Sequence, residues 1–273
     1  MDLNESERAV FLEALWGYYT VSARNGLPWR IAEADGSFDP YKILVSELML
    51  QQTQVARVVP KYEEFLRRFP TVKALATSTM GDVLRMWQGL GYNRRAKFLW
   101  QTAQIVDDLK YFPDTFEGLV KLPGIGKNTA GAILAYAFNQ PSLFIETNVR
   151  TVYIYHFFAD RQEVSDKEIL GLLERTIDHE HPRDFYWALM DYGTHLKSSV
   201  GNLNRISKHY AKQSVFHGSR RQVRGQALRY LGESTKTFSE LAQLIPDERL
   251  TGVLEELVAE QLITQKHKRY SLD

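Results

Sequence analysis

The sequence predicts a mainly α-helical fold with a small C-terminal module, and three observations support this prediction. Apolar residues recur at three- and four-residue spacing through most of the 273 residues, which is the period of a helix with one buried face. Strand-like alternation is scarce before the C-terminus. There, residues 262–264 and 270–272 flank a basic turn over residues 265–269, a pattern typical of a small β-hairpin.

The helical periodicity divides the main body into segments separated by short turns that contain proline or glycine. These segments cover residues 7–20, 41–58, 61–68, 80–88, 95–110, 127–138 and 184–196. Further helical segments, at about 221–232, 237–244 and 247–260, precede the hairpin. Three helices followed by a hairpin is the order of a winged-helix module. We therefore predict a main domain over residues 1–200, a basic connector over 201–218 and a winged-helix-like domain over 219–273.

Composition restricts the class of protein. Hydrophobic residues make up 44% of the chain and charged residues 25%, which are ordinary values for a globular protein. Because the chain contains no cysteine, disulfides, cysteine-ligated zinc and cysteine-held iron–sulfur clusters are excluded. The N-terminus is charged, and no apolar stretch approaches the length of a membrane span. We expect a cytoplasmic protein without a membrane partner.

The net charge is only +1, but the positive charge is unevenly distributed. From Tyr192 to Gly232, a segment called the basic run below, there is no Asp or Glu. Its cations are Lys197, Arg205, Lys208, Lys212, Arg220, Arg221, Arg224 and Arg229. Such local asymmetry is typical of surfaces that neutralise phosphates, and a solvated linker is the alternative. Lys208, Lys212, Arg220 and Arg221 are the cations that we expect to contact phosphates.

Residues 122–130, Leu-Pro-Gly-Ile-Gly-Lys-Asn-Thr-Ala, form the turn between two helical segments and are called the hairpin turn below. Gly124 and Gly126 permit positive φ and the close approach of another backbone. The amides that open the next helix lie at the positive end of its dipole. Such a turn can bind a phosphate, and an ordinary tight turn between two packed helices is the alternative.

Two carboxylates are candidates for acid–base chemistry. One carboxyl can protonate a leaving group while a second stabilises a developing positive charge, a division of roles that the hydrolysis of a glycosidic bond uses. Glu47 is the only charge in residues 43–50, and partly apolar surroundings raise the pKa of a carboxyl. Glu146 follows an apolar run where another helix begins. The alternative for Glu47 is a surface glutamate that shares its helix face with Gln51 and Gln54. The alternative for Glu146 is a helix N-cap.

Several strings of the chain, over about residues 8–200, resemble the MutY-type adenine glycosylases of the helix-hairpin-helix superfamily. Residues 41–55 are similar to the catalytic-acid helix of that family, and the hairpin turn is similar to its phosphate-binding hairpin. Residues 89–96 are similar to its minor-groove wedge loop and are called the wedge loop below. The resemblance implies a helix-hairpin-helix DNA glycosylase fold. It also implies an enzyme of base excision repair that removes adenine opposite 8-oxoguanine or guanine from double-stranded DNA.

The resemblance assigns roles to individual positions. It implies that Glu47 protonates the adenine leaving group and later handles the water. Glu146 matches a position that is normally aspartate, one methylene shorter, whose carboxylate stabilises the sugar cation. Asn148 matches an asparagine that helps to position this site. Trp29 and Arg30 match a segment that lines the base pocket.

The resemblance also implies the contacts with DNA. Gln52 and Tyr92 match residues that enter the base stack and read the orphan base. Asn128 stands where related enzymes that also nick DNA carry a lysine nucleophile, which predicts a monofunctional enzyme. A monovalent cation often binds the hairpin backbone in these relatives. The implied DNA-contacting residues are Gln51, Gln52, Tyr92, Gly124, Gly126, Lys127 and Thr129.

The chain departs from the family at its C-terminal side. In most relatives, four cysteines that bind an iron–sulfur cluster come after the segment that resembles residues 185–193. This chain has the basic run there, so we expect no iron–sulfur cluster. We expect the cations of the run to replace the contacts of the cluster with DNA. The last 55 residues are too short for the 8-oxoguanine-recognition domain of full-length relatives. Two alternatives follow: a mismatch glycosylase for thymine, uracil or another base, and a non-catalytic DNA-binding protein in which Glu146 marks a decayed site. We expect a nucleoid-associated monomer.

Overall fold

The computed structural model describes residues 3–212 and 215–272 and confirms the predicted all-α main body. Its helices are α1 (Glu5–Ser22), α2 (Pro40–Leu50), α3 (Val55–Arg68), α4 (Val72–Ala76), α5 (Met80–Trp87), α6 (Arg94–Leu109), α7 (Phe116–Leu119), α8 (Lys127–Phe138), α9 (Thr147–Phe157), α10 (Asp166–Thr176), α11 (Pro182–Ser199), α12 (Arg220–Glu233), α13 (Phe238–Leu244) and α14 (Leu250–Ala259). Short 3-10 helices cover Pro28–Arg30 and Leu203–Ile206. The strands are β1 (Lys236–Thr237), β2 (Thr264–Lys266) and β3 (Arg269–Ser271).

The chain forms two compact units, each built from separate stretches of sequence. The first unit comprises the described residues of 1–43, 114–121 and 125–212, and the second those of 44–113, 122–124 and 213–273. Each has its own apolar core, which includes Phe11, Leu15, Tyr153 and Phe185 in the first unit and Val58, Phe65, Trp87 and Leu99 in the second. This division does not coincide with the predicted boundaries at residues 200 and 218, which stay a prediction.

The predicted single helix over residues 41–58 is wrong, because the chain forms α2 and α3 with a break between them. Gln52 lies in this break and has a φ of +55°, which is incompatible with a continuing right-handed helix. The predicted segment 61–68 is the second half of α3. The apolar period continues across the break, so periodicity alone did not reveal it.

Helix α10 was missed, although its start carries a local signal. Ser165 accepts a hydrogen bond from the Glu168 amide, and the Glu168 carboxylate accepts one from the Ser165 amide at 2.9 Å. This reciprocal pair is a capping box, which the spacing Ser-x-x-Glu indicates in the sequence. The buried residues Ile169, Leu172 and Leu173 then hold the helix against the core of the first unit.

Part of the predicted connector is packed within the first unit. Asn204 is buried and donates a hydrogen bond to Thr151 Oγ1 at 2.7 Å. Ser207 forms a parallel bridge with Val164. Residues 203–207 are therefore held by the main body rather than extended between two domains.

The C-terminal segment has the predicted order of three helices followed by a hairpin. The hairpin is tighter than predicted: β2 and β3 are joined by His267 and Lys268, both with positive φ, as the favoured two-residue turn requires. The short strand β1 was not predicted; it pairs with β3, which gives the antiparallel order β1-β3-β2. Buried apolar residues of α12, α13, α14 and the hairpin form the core here: Val223, Leu231, Leu241, Val253, Leu257 and Ile263.

None of the helices in the described part of the chain combines the length and apolar character that crossing a membrane requires.

Candidate active site

Glu47 lies in the last turn of α2, in the second unit, and its side chain is half-buried. Its neighbours in the helix, Val45, Ser46 and Leu48, are buried. The structure thus holds this carboxyl in the partly apolar surroundings that the sequence predicted.

Glu146, in the first unit, occupies the residue before α9 without capping it. The backbone of Glu146 is extended, as at an N-cap, but its side chain accepts no capping hydrogen bond from the described first turn of the helix. The capping interpretation therefore does not account for this carboxyl. Burial raises the pKa of Glu146, and the nearby charge of Arg150 opposes that shift only in part. A carboxylate destabilised in this way is stabilised when positive charge forms beside it.

The charge of Arg150 is already compensated by another acid. Its Nε and Nη2 donate to the two carboxylate oxygens of Asp166 at 2.7 and 2.8 Å, a bidentate pair of the strong kind. This ion pair joins α9 to the start of α10. Arg150 therefore fixes the helix that begins after Glu146.

Asn148 lies in the first turn of α9, against α11. Its Nδ2 is 3.4 Å from Thr194 Oγ1 and 3.7 Å from Met190 Sδ. These long contacts leave the Asn148 amide weakly held by side chains. Its backbone is held more firmly, because Gly193 on α11 allows the two helices to approach closely.

Asn128 lies in the first turn of α8 and reaches the segment that precedes Glu146. Its Nδ2 donates a hydrogen bond to the carbonyl of Ile145 at 2.9 Å. The amide at this position thus fixes the backbone next to the candidate carboxyl. Lys127, one residue earlier, is exposed, and Thr129 is half-buried.

Trp29 and Arg30 are both buried in the first 3-10 helix. Arg30 donates to the two carboxylate oxygens of Asp191 at 2.8 and 2.9 Å, and its guanidinium lies 5.1 Å from the centre of the Trp187 ring. The Arg30 side chain is therefore committed to a buried ion pair, whereas the resemblance implies a place for it beside the flipped base.

Asp191 is a structural residue that the sequence analysis missed. Besides Arg30, it binds Arg24, whose Nε lies 2.6 Å from its carboxylate. Burial favours a higher pKa of Asp191, but the hydrogen bonds and charges of Arg30 and Arg24 outweigh burial and hold the pKa below its usual value. The signal in the sequence is an acid directly after the apolar stretch 187–190. An acid in a buried position requires cations around it.

In the second unit, Gln52 and Tyr92 share an unusual backbone conformation. Their φ values are +55° and +46°, in the left-handed region that costs energy for residues with a Cβ. Both side chains are exposed, Tyr92 by 38%. Strain of this kind persists where the surroundings impose it, and it clusters at functional sites. These are the two residues that the resemblance assigns to the base stack.

Arg95, also missed in the sequence, holds both segments that carry these residues. Its buried guanidinium donates to two sets of backbone carbonyls. The first set, at and just after the end of α2, is Leu48, Met49 and Gln51. The second, in the wedge loop, is Leu90 and Gly91. Burial lowers the pKa of Arg95 to about 10. The guanidinium also lies 5.5 Å from the centre of the Tyr92 ring. Arg95 thus fixes the ends of both segments at once.

The hairpin turn needs a glycine at one of its two glycine positions. Gly124 has a φ of +74°, and a Cβ on it would lie 2.6 Å from Phe98 Cβ. Gly126 precedes α8 with a φ of −85°, which any residue can adopt. Gly124, Gly126 and Lys127 are all exposed. The predicted monovalent cation would bind backbone carbonyls of this turn. One of these, the carbonyl of Pro123, already accepts a hydrogen bond from Thr102 Oγ1 at 3.1 Å.

The basic run is partly neutralised by acids from outside it. Within the described residues, Lys208 pairs with Glu163 at 3.1 Å, Arg220 with Glu256 at 2.7 Å and Arg224 with Glu260 at 2.6 Å. These acids lie far from the run in sequence, so the lack of Asp and Glu within the run does not leave these three cations without acidic partners. Arg205 and Lys212 are exposed.

The predicted site residues are divided between the two units. The first unit contains Trp29, Arg30, Gly126, Lys127, Asn128, Thr129, Glu146, Asn148, Lys208 and Lys212. The second contains Glu47, Gln51, Gln52, Tyr92, Gly124, Arg220 and Arg221. Within each unit the structure brings a group together: Asn128 with the backbone next to Glu146, and the segments of Gln52 and Tyr92 through Arg95.

Comparison with known proteins places these features in a family. Residues 45–177 match the family described as HhH-GPD superfamily base excision DNA repair protein. The chain is 36% identical to an adenine DNA glycosylase of Buchnera aphidicola subsp. Baizongia pistaciae, over 76% of this chain and 60% of that protein. It is 34% identical to an adenine DNA glycosylase of Mycobacterium tuberculosis, over 92% of this chain and 89% of that protein. The chain thus spans less than two thirds of the Buchnera relative's length.

Solved structures share the fold. A thermostable thymine-DNA glycosylase superposes with a TM-score of 0.62 at 22% identity, over 77% of this chain and 99% of that chain. An endonuclease III trapped as a covalent intermediate with DNA gives a TM-score of 0.59 at 17% identity, over 71% of this chain and 88% of that chain.

Proposed function

Because the chain belongs to the HhH-GPD superfamily of base excision DNA repair proteins, we propose that it is a DNA glycosylase that hydrolyses the bond between a flipped base and its sugar. The proposed substrate is adenine opposite 8-oxoguanine or guanine in double-stranded DNA. The relatives described above carry the name adenine DNA glycosylase.

The observation that carries this proposal is the break after α2. Within one short segment, a half-buried carboxyl at Glu47 is followed by the exposed amide of Gln52 in a left-handed conformation. Removal of a base from a duplex uses both features. A partly shielded acid protonates the departing base, and an exposed side chain takes the place of the extruded base in the stack.

The chemistry divides between two carboxyls. Glu47 donates a proton to the departing adenine, which makes it a better leaving group, and then accepts a proton from the attacking water. Glu146, as a carboxylate, stabilises the positive charge that develops on the sugar. The raised pKa of Glu146 means that the negative charge of its carboxylate is poorly stabilised in the free protein. The positive charge on the sugar develops only in the transition state, so its attraction to Glu146 lowers the energy of the transition state more than that of the ground state.

We propose a monofunctional enzyme whose product is an abasic site. Asn128 is an amide and cannot form the imine that strand cleavage by a lyase requires. No cysteine-ligated cluster takes part, because the chain has no cysteine. A monovalent cation at the hairpin backbone stays a prediction.

The proposed partner is the DNA backbone on both sides of the mismatch. The amides after Gly126 open α8, and Arg205 and Lys212 provide exposed positive charge, so these groups suit phosphates. The substrate places the enzyme at the nucleoid, where we propose that it acts as a monomer.

The experiment is a panel of duplexes that carry each possible mismatch, including adenine opposite 8-oxoguanine, assayed for alkali-labile abasic sites. We expect cleavage of the adenine strand and of no other. Release of thymine or uracil instead would identify a different mismatch glycosylase. Binding to mismatched duplexes without release of any base would identify a non-catalytic DNA-binding protein.

A further inference from the structure

Within the second unit, Tyr92 of the wedge loop is held by a side chain of the C-terminal segment. Nη1 of Arg221, on α12, donates a hydrogen bond to the Tyr92 hydroxyl at 2.9 Å, and the guanidinium lies 5.9 Å from the centre of the ring. Arg95 lies 5.5 Å from the centre of the same ring. An exposed aromatic side chain is thereby restrained by two cations.

Tyr92 and Arg221 both line a groove between the wedge loop and α12. The groove has a volume of about 1260 Å³, above the range typical of small-molecule pockets. Its lining provides aromatic rings, amides and guanidinium groups, among them Tyr92, Phe216, Gln52, Gln222, Arg221 and Arg229. Aromatic rings stack on bases, amides read base edges and guanidinium groups bind phosphates. The lining therefore fits a nucleotide that belongs to a strand.

We propose that Arg221 is a positioning residue: it fixes the ring of Tyr92, which the resemblance assigns to the base stack, for stacking on the nucleotide left unpaired when the opposite base is flipped out. The proposal rests on the proposed function. It gives α12 a specific part in recognising the strand opposite the excised base.

Arg95 and Arg221 hold different parts of Tyr92, the backbone beside it and the ring. Its φ of +46° is rarely adopted by an aromatic residue, so its surroundings must impose the conformation. Arg95 fixes the backbone beside it through the carbonyl of Gly91 at 3.1 Å. That hydrogen bond acts on the backbone and not on the rotation of the ring about its side-chain bonds. The hydrogen bond from Arg221 to the hydroxyl, at the far end of the ring, restricts this rotation.

The test uses the full chain and duplexes with a non-cleavable abasic-site analogue opposite each of the four bases and 8-oxoguanine. Arg221→Met is compared with Lys266→Met, which removes the same charge from an exposed residue of β2 outside the groove. We expect Arg221→Met to narrow the affinity ratio between the best and the worst opposite base by about tenfold, within the range for coupled side chains in contact. Lys266→Met keeps that ratio. Fluorescence of 2-aminopurine at the opposite position reports stacking independently of affinity.

Two further variants separate positioning from a direct contact with DNA. Tyr92→Phe removes only the hydroxyl, so it reproduces the effect of Arg221→Met, and the double variant adds nothing to either. Arg221→Lys keeps a charged donor and restores part of the discrimination. Additive effects of Arg221→Met and Tyr92→Phe, or an unchanged ratio in a variant with the parent's thermal stability, would overturn the proposal.

The two proposals fail in different ways. Because the abasic analogue requires no catalysis, discrimination and 2-aminopurine stacking are measured even if no base is excised. Loss of excision with intact, Arg221-dependent discrimination would contradict the proposed function alone. Normal excision with discrimination independent of Arg221 would contradict this inference alone.

Discussion

Gly193 on α11 lies directly against Asn148 on α9: a Cβ on the glycine would be 2.6 Å from the backbone oxygen of Asn148 and 2.7 Å from its Cβ. The glycine meets backbone, which cannot move without shifting the first turn of α9. That turn follows Glu146 directly. The absence of one side chain on α11 therefore sets the position of the candidate carboxyl.

We expect Gly193→Ala to impair excision more than it impairs folding. The added methyl group should displace the start of α9, lower the single-turnover rate by about tenfold or more and destabilise the protein by about 1–3 kcal/mol. Gly171→Ala on α10 is the matched control, because a Cβ there meets no atom within 4 Å. It should leave the rate unchanged and stabilise the helix by up to about 1 kcal/mol. Equal rates for both variants would show that α9 adjusts without moving the site.

The sequence predicted the features of the site that depend on local patterns. The α2 segment with Glu47 and the hairpin turn with Gly124 were predicted from periodicity, glycine spacing and the family resemblance. Gly193 was not singled out, because helix periodicity does not show where two helices approach most closely. Only the packing of α9 on α11 reveals its role.

The residues that sequence reasoning missed act through partners far away in the chain. Arg95 binds carbonyls from Leu48 to Gln51, and Asp191 binds Arg24 and Arg30. A buried charge is stable only with such partners, but a single sequence does not show which distant residues meet. The same limit applies to the basic run, in which Lys208, Arg220 and Arg224 pair with Glu163, Glu256 and Glu260.

Glu47→Gln should abolish excision and leave DNA binding nearly unchanged. An amide of the same size cannot donate the proton that the leaving base requires. Single-turnover rates on duplexes with adenine opposite 8-oxoguanine measure the effect, and affinity for an abasic-site analogue is the control. A rate within about tenfold of the parent, roughly 1.4 kcal/mol of barrier, would remove Glu47 from the catalytic role.

The raised pKa of Glu146 predicts opposite effects on activity and stability. The carboxylate is the active form, so the acidic limb of the pH–rate profile should lie above the usual pKa of a glutamate. Burial raises the pKa in the folded state, so the native protein binds this proton more tightly than the unfolded chain does. The stability from Glu146 is therefore present below the unfolded-state pKa and is lost as pH rises through the folded-state pKa.

Glu146→Gln tests both consequences at once. It should remove excision while raising the midpoint of thermal unfolding at neutral pH, because a neutral amide avoids the cost of a charge at this partly buried position. Thermal unfolding at acidic and neutral pH checks the sign, since the gain should shrink where the parent is protonated. A variant that is less stable than the parent at neutral pH would mean that the Glu146 carboxylate is stabilised in the fold.

Borohydride should trap no covalent complex between this protein and its DNA. Only an amine forms the imine that borohydride reduces, and the resemblance matches Asn128 to the position where a lyase presents a lysine. Its amide donates instead to the Ile145 carbonyl at 2.9 Å. Denaturing gels after reduction measure the complex. Efficient trapping that disappears in Lys127→Ala would show that the exposed lysine next to it acts as the nucleophile.

The cations of the basic run should differ in their contribution to DNA binding according to whether an acid already pairs with them. A cation that binds a phosphate releases counterions, so removing one such cation lowers the slope of log affinity against log salt by about 0.9. Lys197, Arg205 and Lys212 are exposed, whereas Lys208 and Arg220 pair with Glu163 and Glu256. A cation already paired with a carboxylate has less to gain from a phosphate.

Two variants separate these groups. Replacing Lys197, Arg205 and Lys212 together by glutamine should weaken binding to matched and mismatched duplexes alike and flatten the salt dependence, because phosphate contacts position a duplex without reading its sequence. Replacing Lys208 and Arg220 should change the slope less for each charge removed. Affinities measured across a series of salt concentrations decide between them. If the triple variant kept the parent's affinity and slope, the exposed cations would serve only to solvate this segment, and DNA would have to be held by other groups, with the amides of the hairpin turn as the next candidates.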